Sequence, residues 1–181
     1  MNTGSVSSKI ALCGILTALS VAAMIIAGLM GILTYAAPMI AGGLLIAPVK
    51  QYGTRTALTM FAAVSLLGLM LIPDKEMALF YLLLFGHYPI IQPMLNRISK
   101  KPARVLLKAL VFNGGAVISV LLAELIFAIP VFDSDMRVWL LAAAYLLAAN
   151  ICFALYDSAL LGFYTFYDVK LGPILNKLFR L

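Results

Sequence analysis

With 181 residues, of which 64% are hydrophobic and only 11% charged, this chain has too little polar surface to coat a water-soluble globule, whose charged share is about a quarter. Its mean hydropathy is +1.08. The net charge of +6 could suggest nucleic acid, but its distribution along the chain points to a membrane instead.

A bilayer core about 30 Å thick takes roughly 20 apolar residues per helix, so the charge-free runs can be counted as spans. Between Lys9 and Lys50 no residue is charged, which provides two helices, residues 10–32 and 34–49, joined by a tight turn near Gly31 to Pro38. Residues 56–73 form a third run and 77–95 a fourth, interrupted only by His87. The fifth, 105–129, carries Lys108 at its start and Glu124 near its end. The sixth, 138–166, carries only Asp157. None alternates apolar and polar residues as a membrane β-strand does. The expected fold is all-α: one domain, a bundle of about six transmembrane helices.

Lys9, Lys50, Arg55, Arg97, Lys100, Lys101, Arg104, Lys108, Lys170, Lys177 and Arg180 all fall on one side of these spans; the other side has only Lys75 and Arg137. Loop Lys/Arg bias sets orientation, so the basic side is expected to be cytoplasmic, with both termini inside. Membrane lipid then accounts for the basic charge, and no nucleic-acid partner is expected. The tail from Val169 either lies along the headgroups or is a basic stop. Cys13 and Cys152 fall within spans, where buried free thiols are expected and no metal-ligand spacing exists.

Within the fourth span Pro89 and Pro93 each remove a backbone donor, so a kink or break is expected around Gly86-His87-Tyr88-Pro89. The first span places Gly14, Ala18 and Ala22 on one face. Small-xxx-small faces let helices approach closely in lipid, either as an internal seam, with Gly42, Gly43, Gly114 and Gly115 as matching sides, or as a docking surface.

Polar groups inside spans are costly and mark functional candidates. His87, Asn113 and Asp157 lie at similar depth and could meet, as a structural network or as a titrating His87–Asp157 pair. Glu124, nearer the outer end, could form an outward small-molecule pocket with Tyr35, Tyr81, Trp139 and Tyr145, or could reach Arg137 while the aromatics form an interfacial belt. One histidine, no HExxH and no phosphate loop give no catalytic site, no metal and no cofactor, so an enzyme is not expected and any ATP use falls to a partner.

The opening Ser8-Lys9-Ile10-Ala11-Leu12, followed by Gly14-Ile15-Leu16-Thr17-Ala18-Leu19-Ser20, resembles the start of the substrate-binding S components of bacterial energy-coupling-factor (ECF) transporters. The resemblance implies six helices with both ends inside. It also implies that Gly14, Ala18 and Ala22 contact a transmembrane coupling subunit working with ABC ATPases, and that a small molecule binds from outside. The contrasting expectation is a non-transporting membrane interaction protein with basic cytoplasmic loops.

Overall fold

The computed structural model describes residues 6–31, 33–127 and 136–179. These are helical throughout, without a strand: α1 (Val6–Met30), α2 (Ala36–Gly43), α3 (Ile46–Tyr52), α4 (Thr54–Leu71), α5 (Lys75–Phe80), α6 (Tyr88–Asn96), α7 (Lys101–Phe127), α8 (Met136–Phe166) and α9 (Gly172–Phe179). Two π-helical turns complete the path, Tyr81–Phe85 between α5 and α6 and Tyr167–Leu171 between α8 and α9.

The six apolar runs of the sequence appear as six joined helical segments, five of them long and apolar enough to cross a bilayer. The exception is the second, which is divided into α2 and α3. Pro48 is the reason: lacking an N–H, it cannot bond the Leu44 carbonyl, so the chain tightens at Leu44–Leu45, where Leu45 N–H bonds Gly42 O at 3.0 Å. Between α3 and α4 the chain reverses at Gly53, whose φ of +85° disfavours any side chain.

At one end of the bundle the α4–α5 turn is capped twice. Asp74 Oδ1 accepts from Met77 N–H at 3.2 Å, and Lys75 Nζ donates to the carbonyls of Leu69 and Ile72 at 2.9 and 3.0 Å. The lone lysine of this loop therefore closes the end of α4. At the opposite end Lys50 meets Asp168 at 2.8 Å and lies 5.3 Å from the centre of the Tyr164 ring. This contact joins the ends of two segments that the charge pattern puts on the same side.

Two buried clusters hold the segments together. One gathers α1, α2, α4 and α5 around Met24, Leu45, Met60, Val64, Ile72 and Met77. The other is aromatic: Phe112 stacks on Phe153 at 4.4 Å, Tyr88 meets Phe153 edge-on at 4.8 Å, and Phe85 meets Tyr156 edge-on at 5.2 Å. It ties α6 and α7 to α8. Leu175 of α9 packs against its margin.

Gly42 and Gly115 serve this second cluster. A Cβ on Gly42 would stand 2.4 Å from the Phe85 carbonyl oxygen, and one on Gly115 would stand 2.3 Å from that of Leu83. Both glycines receive the π-helical backbone, so they do not match the small face of α1 as the sequence suggested. Their neighbours Gly43 and Gly114 have nothing within 4 Å of a Cβ. The buried side of α1 is instead Leu12, Ser20, Val21, Met24 and Ala27, while Gly14, Ala18 and Ala22 are exposed. Of the cysteines, both free, Cys13 is half-buried and Cys152 exposed. The expectation of two buried thiols is corrected, because Cys152 lies on the outward side of α8.

Candidate functional site

The break in the fourth segment is where the sequence put it, and it sets up the most polar interior of the molecule. In an unbroken helix the N–H groups of residues 89 and 93 would bond the carbonyls of residues 85 and 89; both positions are proline. Each orphaned carbonyl is taken by a tyrosine of α8. Tyr156 OH donates to Phe85 O at 3.1 Å and Tyr164 OH to Pro89 O at 2.6 Å. In hydrocarbon an unpaired backbone group costs several kcal/mol, so breaks survive where neighbours satisfy the freed groups.

Between these two tyrosines, on the same face of α8, lies Asp157. Tyr88 OH donates to its Oδ1 at 2.6 Å, and Gln92 Nε2 donates to Oδ1 at 2.6 Å and to the Asp157 backbone carbonyl at 2.8 Å. Lys108 Nζ completes the set, at 2.9 Å from Oδ1 and 2.6 Å from Oδ2. The side chains of Lys108 and Asp157 are 11% and 18% exposed, so the pair is shielded from salt. Both carboxylate oxygens are occupied by donors. The Gln92 amide is fixed in sense: flipped, its oxygen would face two acceptors. Its own oxygen is buried without a partner among the described residues.

The three polar residues that sequence depth brought to one level are therefore not one cluster. His87 packs edge-on to Phe61, with ring centres 6.2 Å apart. Asn113 pairs with Asn150 in two amide hydrogen bonds of 3.0 Å, and each amide also donates to the carbonyl four residues earlier, at 2.8 Å. Asp157 takes Lys108, Tyr88 and Gln92. One position of helix register separates His87 from Tyr88, and on a helix that is about 100° of rotation. Lys108, read in sequence as a flanking base, has its ammonium drawn in to Asp157, and Gln92, an uncharged amide of the same span as His87, joins it.

Of the outer residues, Tyr35 and Tyr145 meet hydroxyl to hydroxyl at 3.1 Å, and Tyr35 also packs against Phe80 at 5.2 Å. Both tyrosines are about half exposed. Tyr81 is 1% exposed and packs on Phe61 at 5.9 Å, placing it in the core rather than at the outer mouth. Its hydroxyl has no hydrogen-bond partner among the described residues. Glu124 is half-buried near the end of α7, and the hydrogen bond between Tyr35 and Tyr145 does not include it. The side chains of Trp139 and Arg137 lie outside the described residues. No group of three or more His, Cys, Asp and Glu gathers among the described residues.

Compared with family models, curated proteins and solved structures, the chain matches none. What stands is a multi-span helical membrane bundle, of a kind consistent with membrane transport in general.

Proposed function

We propose that this chain is the substrate-binding membrane subunit of an ECF-type transporter, with both termini in the cytoplasm. It would bind a small molecule from outside and pass it inward with a transmembrane coupling subunit and ABC ATPases. The chain itself catalyses no reaction, and ATP hydrolysis belongs to the partners.

The observation that carries this reading is the outward face of α1. Gly14, Ala18 and Ala22 are exposed, and the space beside Gly14 is open, while the opposite face of the helix does the internal packing. A small-residue seam turned outward suits close approach by another helix in lipid, where shape and packing drive association. At the outer end the Tyr35–Tyr145 contact supplies two phenol groups, each with hydrogen-bonding capacity to spare. In this reading Glu124 completes the substrate mouth and Tyr81 supports it from beneath.

The test is purification of tagged protein in mild detergent from its native membrane, with co-purifying chains identified by mass spectrometry. Recovery of a transmembrane coupling subunit with ABC ATPases, lost on Ala18→Leu, supports the reading. Their reproducible absence would sink it and leave the non-transporting interaction protein.

A further inference from the structure

A groove of about 490 Å³ lies between α4, the Tyr81–Phe85 turn and α7, lined by Phe61, Leu83, Leu110, Gly114 and Ile118, with His87 as its one polar side chain among the described residues. Leu110 and Ile118 are 60% and 49% exposed, so the groove opens sideways, toward the acyl chains. We propose that it binds a neutral, membrane-dissolved alcohol or phenol, entering from the bilayer and donating its hydroxyl to His87. The site is separate from the outer tyrosines and does not rest on the transport reading.

Depth and chemistry select the occupant. His87 stands nine residues from Asn96, about 13 Å along the helix, near the middle of a hydrocarbon layer about 30 Å thick. Phospholipid headgroups do not reach that depth, so a polar partner there must belong to a molecule that itself dissolves in the core. Among the described residues no charged side chain lines the groove, which disfavours an ionic ligand at this depth. A neutral imidazole has one N–H and one acceptor nitrogen. The ring is itself part of the groove wall, so it has an acceptor to offer. A bare acyl chain would leave that acceptor unmatched; a single hydroxyl satisfies it.

The floor is also built for occupancy. Gly115 is filled by the Leu83 carbonyl, but beside Gly114 there is open space. A side chain at 114 can therefore enter the groove without meeting backbone.

The test is photolabelling of the full-length protein in lipid nanodiscs with a diazirine-bearing hexadecanol and, in parallel, its methyl ether, which keeps the apolar body but cannot donate. Labelled residues are mapped by mass spectrometry. The expected result is labelling of residues 82–87 and 110–118 by the alcohol at about five times the level given by the ether, the worth of one hydrogen bond. Gly114→Leu should remove labelling by both, His87→Phe should equalise them, and His87→Gln, which keeps an acceptor, should retain the preference. Equal labelling of the wild-type protein by the two probes overturns the proposal, as does alcohol labelling that survives Gly114→Leu. The wild-type comparison decides even where a His87 variant fails to fold.

Discussion

Asp157 and Lys108 offer the sharpest test of what holds the bundle's interior. Removing one member of a buried ion pair costs about 3–5 kcal/mol, because the remaining charge is left without its partner. For Asp157→Leu the figure should fall toward the lower end. Lys108 lies two turns in from Lys101, about 10 Å at the helical rise, and its stem can carry the ammonium part of the way to the surface. For Lys108→Met the carboxylate keeps Tyr88 and Gln92, both at 2.6 Å, which again softens the loss. Replacing both residues removes both charges. Gln92 keeps the Asp157-position backbone carbonyl, now at 2.8 Å, and only the Tyr88 hydroxyl is orphaned, at about 1–3 kcal/mol. The double variant Lys108→Met/Asp157→Leu should therefore be more stable than Asp157→Leu alone. The assay is reversible unfolding in dodecylmaltoside micelles titrated with dodecyl sulfate, followed by circular dichroism. A double variant no more stable than Asp157→Leu would refute the reasoning, and would mean that the carboxylate's three donors, rather than charge balance, hold the three helices.

Further outcomes follow from the same contacts. Tyr164→Phe should cost about 1 kcal/mol by leaving the Pro89 carbonyl unpaired, and the loss should shrink in a Pro93→Leu background, where residue 93 regains an N–H; a double-mutant cycle in the same micelles measures it. Gly42→Ala should be strongly destabilising, since its Cβ would sit 2.4 Å from the Phe85 oxygen, whereas Gly43→Ala should be neutral or stabilising by up to about 1 kcal/mol of helix propensity; thermal melts of the two variants decide. Lys50→Ala should shift stability by less than about 1 kcal/mol, because its pair with Asp168 is solvent-exposed, and unfolding at low and high salt should show little difference. Ala18→Leu should leave the unfolding curve of the isolated protein unchanged while removing co-purifying partners, since its position is exposed.

Composition and charge spacing were enough to read the architecture. A run of apolar residues too long for anything but a span has one stable backbone solution in lipid, and Pro89 and Pro93 locate the break because a missing N–H is a property of the residue itself. The second segment was less legible: its apolar length was correct, yet Pro48 divides it. Side-chain partners were harder, because depth constrains only one coordinate of three. His87, Asn113 and Asp157 share a level, but level leaves azimuth open, and that of His87 depends on the π turn at Tyr81–Phe85, which shifts the register of the rest of its own segment. Asn150 and Gln92 could have been found as the remaining amides in the spans at matching depth. Lys108 could have been found by asking which cation within reach neutralises an intramembrane aspartate.

The proline break and the ion pair are parts of one arrangement. Pro89 and Pro93 each expose a carbonyl toward α8, and α8 answers with Tyr156 and Tyr164, two turns apart on one face. Asp157 stands between them, and the residues it engages, Tyr88 and Gln92, flank Pro89 on α6. An unbroken α6 would satisfy its own carbonyls and leave the two hydroxyls of α8 without these acceptors in hydrocarbon, at a cost. The polar residues of α8 are thus matched to a fourth segment that is broken, and the break in turn brings the Leu83 and Phe85 carbonyls against Gly115 and Gly42. Straightening α6 would have to undo contacts with α2, α7 and α8 together. The irregular centre is accordingly as constrained as the regular helices around it, and motion that accompanies function is expected where these cross-links are absent: at the outer tyrosines and on the exposed face of α1.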